Sequence, residues 1–250
     1  MENPFSSLKI DDSSFLHDQE RQYCQCCGKS RMYLCYTCNV PVHDSLKTPK
    51  LKLPYQFDII KHPREYMGKS TSPQAVILAP EECTLHTYPK IPLYDSNKTL
   101  LLYPGQEAKP LSFFFIDKAK NIDPDNNDSS FNRVVVIDAT WRQAQSIVKH
   151  KALNELPVVK LSEHRTNYWR FHKDNPSTCL STIEAIYYFC VEHFQLTHDP
   201  LNTPYDGRYD NLLFYFSFFH QQMRELVQTK GKSFQAFMAR EFMSDAFITK

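Results

Sequence analysis

Apolar positions in this chain fall into short continuous runs, the sharpest being Val134-Val135-Val136-Ile137, which stops at Asp138-Ala139-Thr140-Trp141. An unbroken β-branched run of that length reads as a strand buried on both faces, as in a parallel sheet covered by helices. Ala75-Val76-Ile77-Leu78, Thr99-Leu100-Leu101-Leu102-Tyr103, Ser112-Phe113-Phe114-Phe115-Ile116 and Val158-Val159-Lys160-Leu161 repeat the pattern and predict further strands. A helix is predicted over 141–151. Another starts at Ser181-Thr182-Ile183-Glu184, a capping box in which serine and glutamate satisfy each other's backbone donors, and runs through Ile186-Tyr187-Tyr188-Phe189. A second aromatic helix is predicted near 207–229, followed by a short amphipathic tail. The pattern is that of an α/β fold, a mostly parallel sheet with flanking helices, and it contains no internal repeat.

Polar breaks divide the chain into a flexible N-terminus at 1–20, a cysteine module at 21–45 and one larger domain at 46–250. The acidic, turn-rich stretch 121–130 reads as an inserted loop. The most hydrophobic run, Leu212 to Phe219, is far shorter than the roughly 20 residues that span a bilayer, so no membrane segment is expected.

Composition sharpens this picture. With 250 residues, 42% hydrophobic and 14% aromatic, there is ample core material for a globular protein. A formal charge of +1 argues against a generic polyanion binder. The charge is uneven, however: Lys47, Lys50, Lys52, Lys61, Arg64 and Lys69 face only Asp58 and Glu65 between positions 47 and 69. Eight cysteines behind an N-terminus with no basic start or apolar core point to a reducing compartment, cytosol or nucleus.

Four of those cysteines form two knuckles, Cys24-x-x-Cys27 and Cys35-x-x-Cys38, separated by seven residues. Four thiolates at this spacing can close a tetrahedral zinc site, and a structural Zn2+ would supply folding energy to a segment too small for its own core. Cys26 is surplus there, and Cys83, Cys179 and Cys190 read as small buried hydrophobes.

The strand end at Asp138 is the first place to look for chemistry, because open α/β sheets bind ligands at the carboxyl ends of their strands. Each residue there has two readings. Asp138 is either a catalytic or ligand-binding carboxylate or the N-cap of the next helix. Thr140 either donates to a ligand or caps that helix, and Trp141 either stacks on a ring or fills the core. Tyr103-Pro104-Gly105 is either a close approach to a ligand or a simple turn. His62, Arg64 and Glu65 form a polar knot suited to a phosphate or carboxylate, or a plain surface ion pair. Between 142 and 173, seven Lys and Arg side chains outnumber Glu155 and Glu163, with Tyr168 and Trp169 interleaved, which suits RNA or a solvated face.

Asp138-Ala139-Thr140-Trp141 resembles the Asp-x-Thr-Trp signature of the DTW-domain family. His62-Pro63-Arg64-Glu65 with Lys69-Ser70-Thr71, Leu101-Leu102-Tyr103-Pro104-Gly105, Tyr168-Trp169-Arg170, Leu180 to Ala185 and the N-terminal cysteines fall in the family's order. The likeness spans roughly residues 21 to 200 and is greatest to the eukaryotic type 1 members. Ala139 stands at the variable position, where relatives often carry Gly or Ser.

The resemblance implies a tRNA-uridine aminocarboxypropyltransferase, which moves the 3-amino-3-carboxypropyl group of S-adenosylmethionine to N3 of a D-loop uridine and leaves methylthioadenosine. It implies a SPOUT-like, knotted fold, a largely nuclear setting and tRNA as partner; no obligate protein partner is expected. In this reading Asp138 is the catalytic carboxylate. Tyr103, Pro104, Gly105, Asp138, Thr140, Trp141, Ser181, Thr182 and Glu184 hold the cofactor. His62, Arg64, Lys69, Arg142, Arg165, Tyr168 and Arg170 meet RNA, and Cys24, Cys27, Cys35 and Cys38 hold zinc. Asp138→Ala is expected to abolish transfer and leave the fold intact. The rivals are a SPOUT-like RNA methyltransferase using the same cofactor and a non-catalytic, zinc-containing RNA-binding adaptor.

Overall fold

The computed structural model describes residues 3–65, 68–115, 131–168, 178–199 and 201–230. Its frame is six parallel strands: β5 (Gln56–Lys61), β6 (Cys83–Thr87), β7 (Thr99–Leu102), β8 (Lys109–Pro110), β9 (Arg133–Asp138) and β10 (Val158–Lys160). They lie in the order β6-β5-β9-β7-β10-β8, so β9 enters late between two strands laid down earlier. That crossing point puts the end of β9 in the middle of the sheet's carboxyl edge, where a crevice forms in open α/β folds.

Helices α1 (Ser72–Leu78), α2 (Leu111–Phe115), α3 (Trp141–Val148), α4 (Thr182–Thr197) and α5 (Phe214–Lys230) cover the sheet. The larger core cluster joins Phe57, Ile59, Leu100, Val134 and Val136 to Ile183, Ile186, Phe189 and Phe216. Ile60, Leu101 and Val135 point the other way and pack with Ile147, Leu153 and Leu156. The alternation of neighbouring β-strand residues between two buried faces accounts for the continuous apolarity of β9.

Two of the predicted strands are helices. Leu111 and Phe115 are buried while Phe113 is 66% exposed, an i, i+4 pattern that only a helix satisfies. Ala75 to Leu78 belongs to α1, whose first turn carries Pro73 and which is buried nearly all round. A short apolar run without a polar face fits helix and strand equally. In the opposite direction, β5 and β6 were not foreseen. Asp58 interrupts the apolar run of β5, and it is buried because Arg133 Nη1 lies 2.9 Å and His86 Nε2 3.3 Å from its carboxylate.

The N-terminal segment corrects a second expectation: residues 3–20 pack on the domain. Phe5 and Leu16 are buried, Lys9 N–H donates to Asp210 Oδ2 at 2.7 Å and Asp11 N–H donates to Asn211 Oδ1 at 2.8 Å. Two apolar anchors and backbone donors to side chains at the start of the aromatic helix outweigh a polar composition. The loop expected at 121–130, Trp169, Arg170 and the tail beyond 230 lie outside the described residues. Among the described residues no helix is long and apolar enough to cross a membrane.

Candidate active site and metal centre

Asp138 closes β9 with a carboxylate only 5% exposed. Its Oδ2 accepts from Ser70 Oγ at 2.6 Å and Ser72 Oγ at 2.8 Å, and its Oδ1 accepts from Thr182 Oγ1 at 2.9 Å. Three separated segments therefore meet on one side chain: the entry to α1, the tip of β9 and the start of α4. A second link runs alongside, from Ile183 N–H to Thr71 Oγ1 at 3.1 Å. Three hydroxyl donors offset much of the cost of burying a carboxylate.

Asp138 is not the helix cap. That place belongs to Thr140, whose N–H donates to Gln143 Oε1 at 3.0 Å in a capping box at the start of α3. The cap reading of Thr140 thus holds, and the core reading of Trp141 does not: its indole is 38% exposed and packs at 6.1 Å, tilted by 48°, against the ring of Tyr103.

Strand alternation separates these groups. Asp138 faces α1 and α4, whereas Ile137, Ala139 and Tyr103 belong to the opposite, α3-side layer. Pro104 is exposed, and Tyr103-Pro104-Gly105 is a tight turn in which Gly105 N–H donates to Tyr103 O at 2.9 Å. Gly105 also abuts the tyrosine ring, since a Cβ there would stand 3.4 Å from Tyr103 Cδ1.

The capping box at Ser181 and Glu184 is present, and Glu184 does more than cap. Buried, it accepts from Ser181 N–H and Oγ, from Thr166 Oγ1 at 2.8 Å and from Asn167 N–H at 2.7 Å, which ties segment 166–167 to α4. Burial raises its carboxyl above the ordinary range, against the opposing pull of the hydrogen bonds from Ser181, Thr166 and Asn167.

The candidate RNA contacts divide between two sides. Tyr168 donates its hydroxyl to Lys69 O at 2.6 Å and stacks on Phe216 at 6.1 Å, so its ring holds the 69–72 loop. His62 extends β5 by donating its N–H to Asp138 O at 3.0 Å, and its ring lies parallel to Tyr88 at 6.2 Å. Burial, then the charges of Arg64 and Lys61, lower the His62 imidazole below its usual value. Arg64, Lys69, Arg142 and Arg165 are exposed.

Ser70, Ser72 and Lys61 were missed as site residues. Lys61 is buried beside Asp138 in the strand register and donates Nζ to the carbonyls of His62 and Glu65, closing that loop. Thr71-Ser72-Pro73 did carry a signal, since Ser or Thr before proline is a helix-start signature.

The cysteine module consists of two antiparallel ribbons, β1 (Gln22–Tyr23) with β2 (Ser30–Arg31) and β3 (Leu34–Cys35) with β4 (Val40–Pro41). Each knuckle closes on a residue in the left-handed region, Gly28 at φ 67° after Cys27 and Asn39 at φ 54° after Cys38. The four sulfurs of Cys24, Cys27, Cys35 and Cys38 lie within 4.8 Å of one another, with Cys27 and Cys35 at 3.6 Å. A tetrahedral ion with metal–sulfur bonds of about 2.3 Å requires S···S of about 3.8 Å, so the donor set fits a metal. Burial works against the Cys24 thiolate, yet the backbone N–H groups of Cys27 and Cys26 bring its pKa to about 6. Cys26 is exposed. Tyr33, between the knuckles, packs edge-on against Phe218 at 5.0 Å and docks the module on α5.

The DTW domain matches residues 32–224, starting inside the cysteine module. The tRNA-uridine aminocarboxypropyltransferase 1 of Xenopus laevis is 37% identical over 245 residues, covering 85% of this chain and 83% of its own. The human protein of the same name is 38% identical over 260 residues, covering 89% and 84%. The Drosophila melanogaster tRNA-uridine aminocarboxypropyltransferase 2 is 28% identical over 175 residues, covering 62% and 64%. No solved structure matches the chain. A domain match across most of the sequence, with type 1 relatives aligned over more than four fifths of both chains, means that the chain belongs to the DTW-domain family.

Proposed function

We propose that this chain is a tRNA-uridine aminocarboxypropyltransferase that joins the 3-amino-3-carboxypropyl group of S-adenosylmethionine to N3 of a tRNA D-loop uridine. The observation that carries the reading is the alignment with relatives of that name over 85% or more of the chain. In the reaction N3 gives its proton to solvent, an N3–carbon bond forms, the carbon–sulfonium bond breaks and methylthioadenosine leaves. Placement of the reacting carbon rather than the methyl decides the outcome, so rigid positioning is the main demand on the protein.

The Asp138 cluster supports that demand. With three hydroxyls already on its carboxylate, Asp138 acts as a positioning residue that fixes Ser70, Ser72 and Thr182 around the site. The sequence reading of Asp138 as the catalytic carboxylate is the alternative, and the pH dependence of transfer decides between the two roles. Tyr103 and the exposed Trp141 offer an aromatic wall on the other side for the adenosine of the donor. The metal in the cysteine module is zinc in this reading, because four thiolates and no open position suit a structural zinc site. A SPOUT-like knotted path and a nuclear setting belong to the same proposal, and imaging of a tagged chain tests the second.

A methyltransferase would leave a methylated uridine, and an adaptor would bind tRNA without affinity for the cofactor. Incubating the purified chain with unmodified tRNA and labelled S-adenosylmethionine separates all three.

A further inference from the structure

A row of rings stands beside the site, built from three distant segments. His62 lies parallel to Tyr88 at 6.2 Å and 14°, and Tyr88 meets His150 edge-on at 5.8 Å and 80°. The row adjoins the tip of β9 through the His62 N–H bond to Asp138 O, and Tyr88 is anchored by its N–H bond to Lys61 O at 2.9 Å. Both imidazoles are locked in the same way. Nδ1 of His62 accepts from Arg64 N–H at 3.1 Å, and Nδ1 of His150 accepts from Ala152 N–H at 3.3 Å. An accepting Nδ1 leaves the neutral ring's proton on Nε2, available as a donor.

The exposed charges that flank the rings most closely in sequence are cations, with Glu65 the acidic neighbour one residue beyond Arg64. Arg64, Lys90, Lys149 and Lys151 are all exposed and lie within two residues of a ring, and no carboxylate lies within two residues of any of the three. In a chain of net charge +1 this is a local concentration of cations. Rings that stack and donate, bracketed by cations, match unpaired nucleotides better than a protein or a membrane: bases have π-faces and acceptor edges, and the phosphates between them are anions.

We propose that the row His62–Tyr88–His150, with Arg64, Lys90, Lys149 and Lys151, is the surface that takes the unpaired nucleotides next to the target uridine. This rests on the transferase reading and adds to it which face of the sheet's carboxyl edge the RNA approaches: the α3 side.

The test compares Tyr88→Leu, Tyr88→Phe, the triple change Lys90→Ala/Lys149→Ala/Lys151→Ala and Lys98→Ala, a control one residue before β7 at the opposite edge of the sheet. Readouts are affinity for unmodified tRNA as a function of salt, affinity for S-adenosylmethionine, and thermal midpoint to certify folding. Tyr88→Leu should weaken tRNA binding by about 10- to 100-fold, Tyr88→Phe should restore most of it, and cofactor affinity should not change. The triple variant should lower the slope of log K against log salt by about 2, and Lys98→Ala should match wild type. Folded variants with wild-type tRNA affinity and salt slope, in a wild-type chain that binds and modifies tRNA, would overturn the row and leave the transferase standing. Loss through the row in a chain that transfers nothing would support the surface and remove the transferase. A wild-type chain that does not bind tRNA would remove both.

Discussion

Ser72 Oγ donates to Asp138 Oδ2 at 2.8 Å, joining the first residue of α1 to the last residue of β9. Both side chains are buried, and Ser70 Oγ lies 2.6 Å from Ser72 Oγ, so the pair and the carboxylate form one polar unit at the centre of the carboxyl edge. The site's geometry depends on this unit, and it behaves differently from an isolated catalytic acid.

Asp138→Ala leaves three hydroxyls without their acceptor and is expected to cost about 3 kcal/mol as well as reduce transfer by at least about 100-fold. The fold is therefore not left untouched. Denaturant midpoints and single-turnover rates check both. Because Asp138 positions and does not abstract the proton, the wild-type rate should keep rising with pH through the neutral range as uridine N3 ionises; a rate independent of pH across that range would favour Asp138 as the catalytic carboxylate.

Trp141→Ala separates a binding wall from a core residue. With the indole 38% exposed, stability should change by no more than about 1 kcal/mol, while KM for the cofactor should rise about 10-fold. A large drop in thermal midpoint with unchanged KM would return Trp141 to the core.

Metal analysis should give one ion per chain. Removal by a strong chelator should lower Tm by at least about 5 °C, because Tyr33 and Leu34 carry the module's packing into α5. Cys24→Ser should lose the metal, and Cys26→Ser should keep it, as Cys26 lies outside the four-sulfur cluster.

His193 gives the fold an acid-sensitive point away from the site. It accepts or donates at Tyr55 Oη, 3.0 Å from Nε2, and burial followed by repulsion from His198 lowers its pKa from 6.5 to about 4. Since the folded value lies below the unfolded one, the contribution of the neutral ring is whole above about pH 6.5 and is lost as pH falls toward 4, up to about 3 kcal/mol. His193→Gln should flatten that part of the stability profile; an unchanged slope between pH 6.5 and 4 would contradict the assignment.

What was legible in the amino-acid order was local. The cysteine knuckles, the capping box at Ser181 and Glu184 and the β9 run are each encoded within a few residues, and the structure contains all of them. Strand β5 was hidden because its buried Asp58 depends on Arg133 and His86, partners remote in sequence. The run 75–78 carried too little periodicity to reveal a helix buried nearly all round. Ser70 and Ser72 meet Asp138 across more than sixty positions, and His62, Tyr88 and His150 come together only through the strand order β6-β5-β9 and the helix after it.

The most direct measurement is nucleoside mass spectrometry of unmodified tRNA incubated with the purified chain and S-adenosylmethionine, with the released nucleoside analysed in parallel. The expected products are a uridine that carries the aminocarboxypropyl group and an equal amount of methylthioadenosine. A methylated uridine with S-adenosylhomocysteine, or unaltered tRNA with intact donor, would contradict the transferase reading.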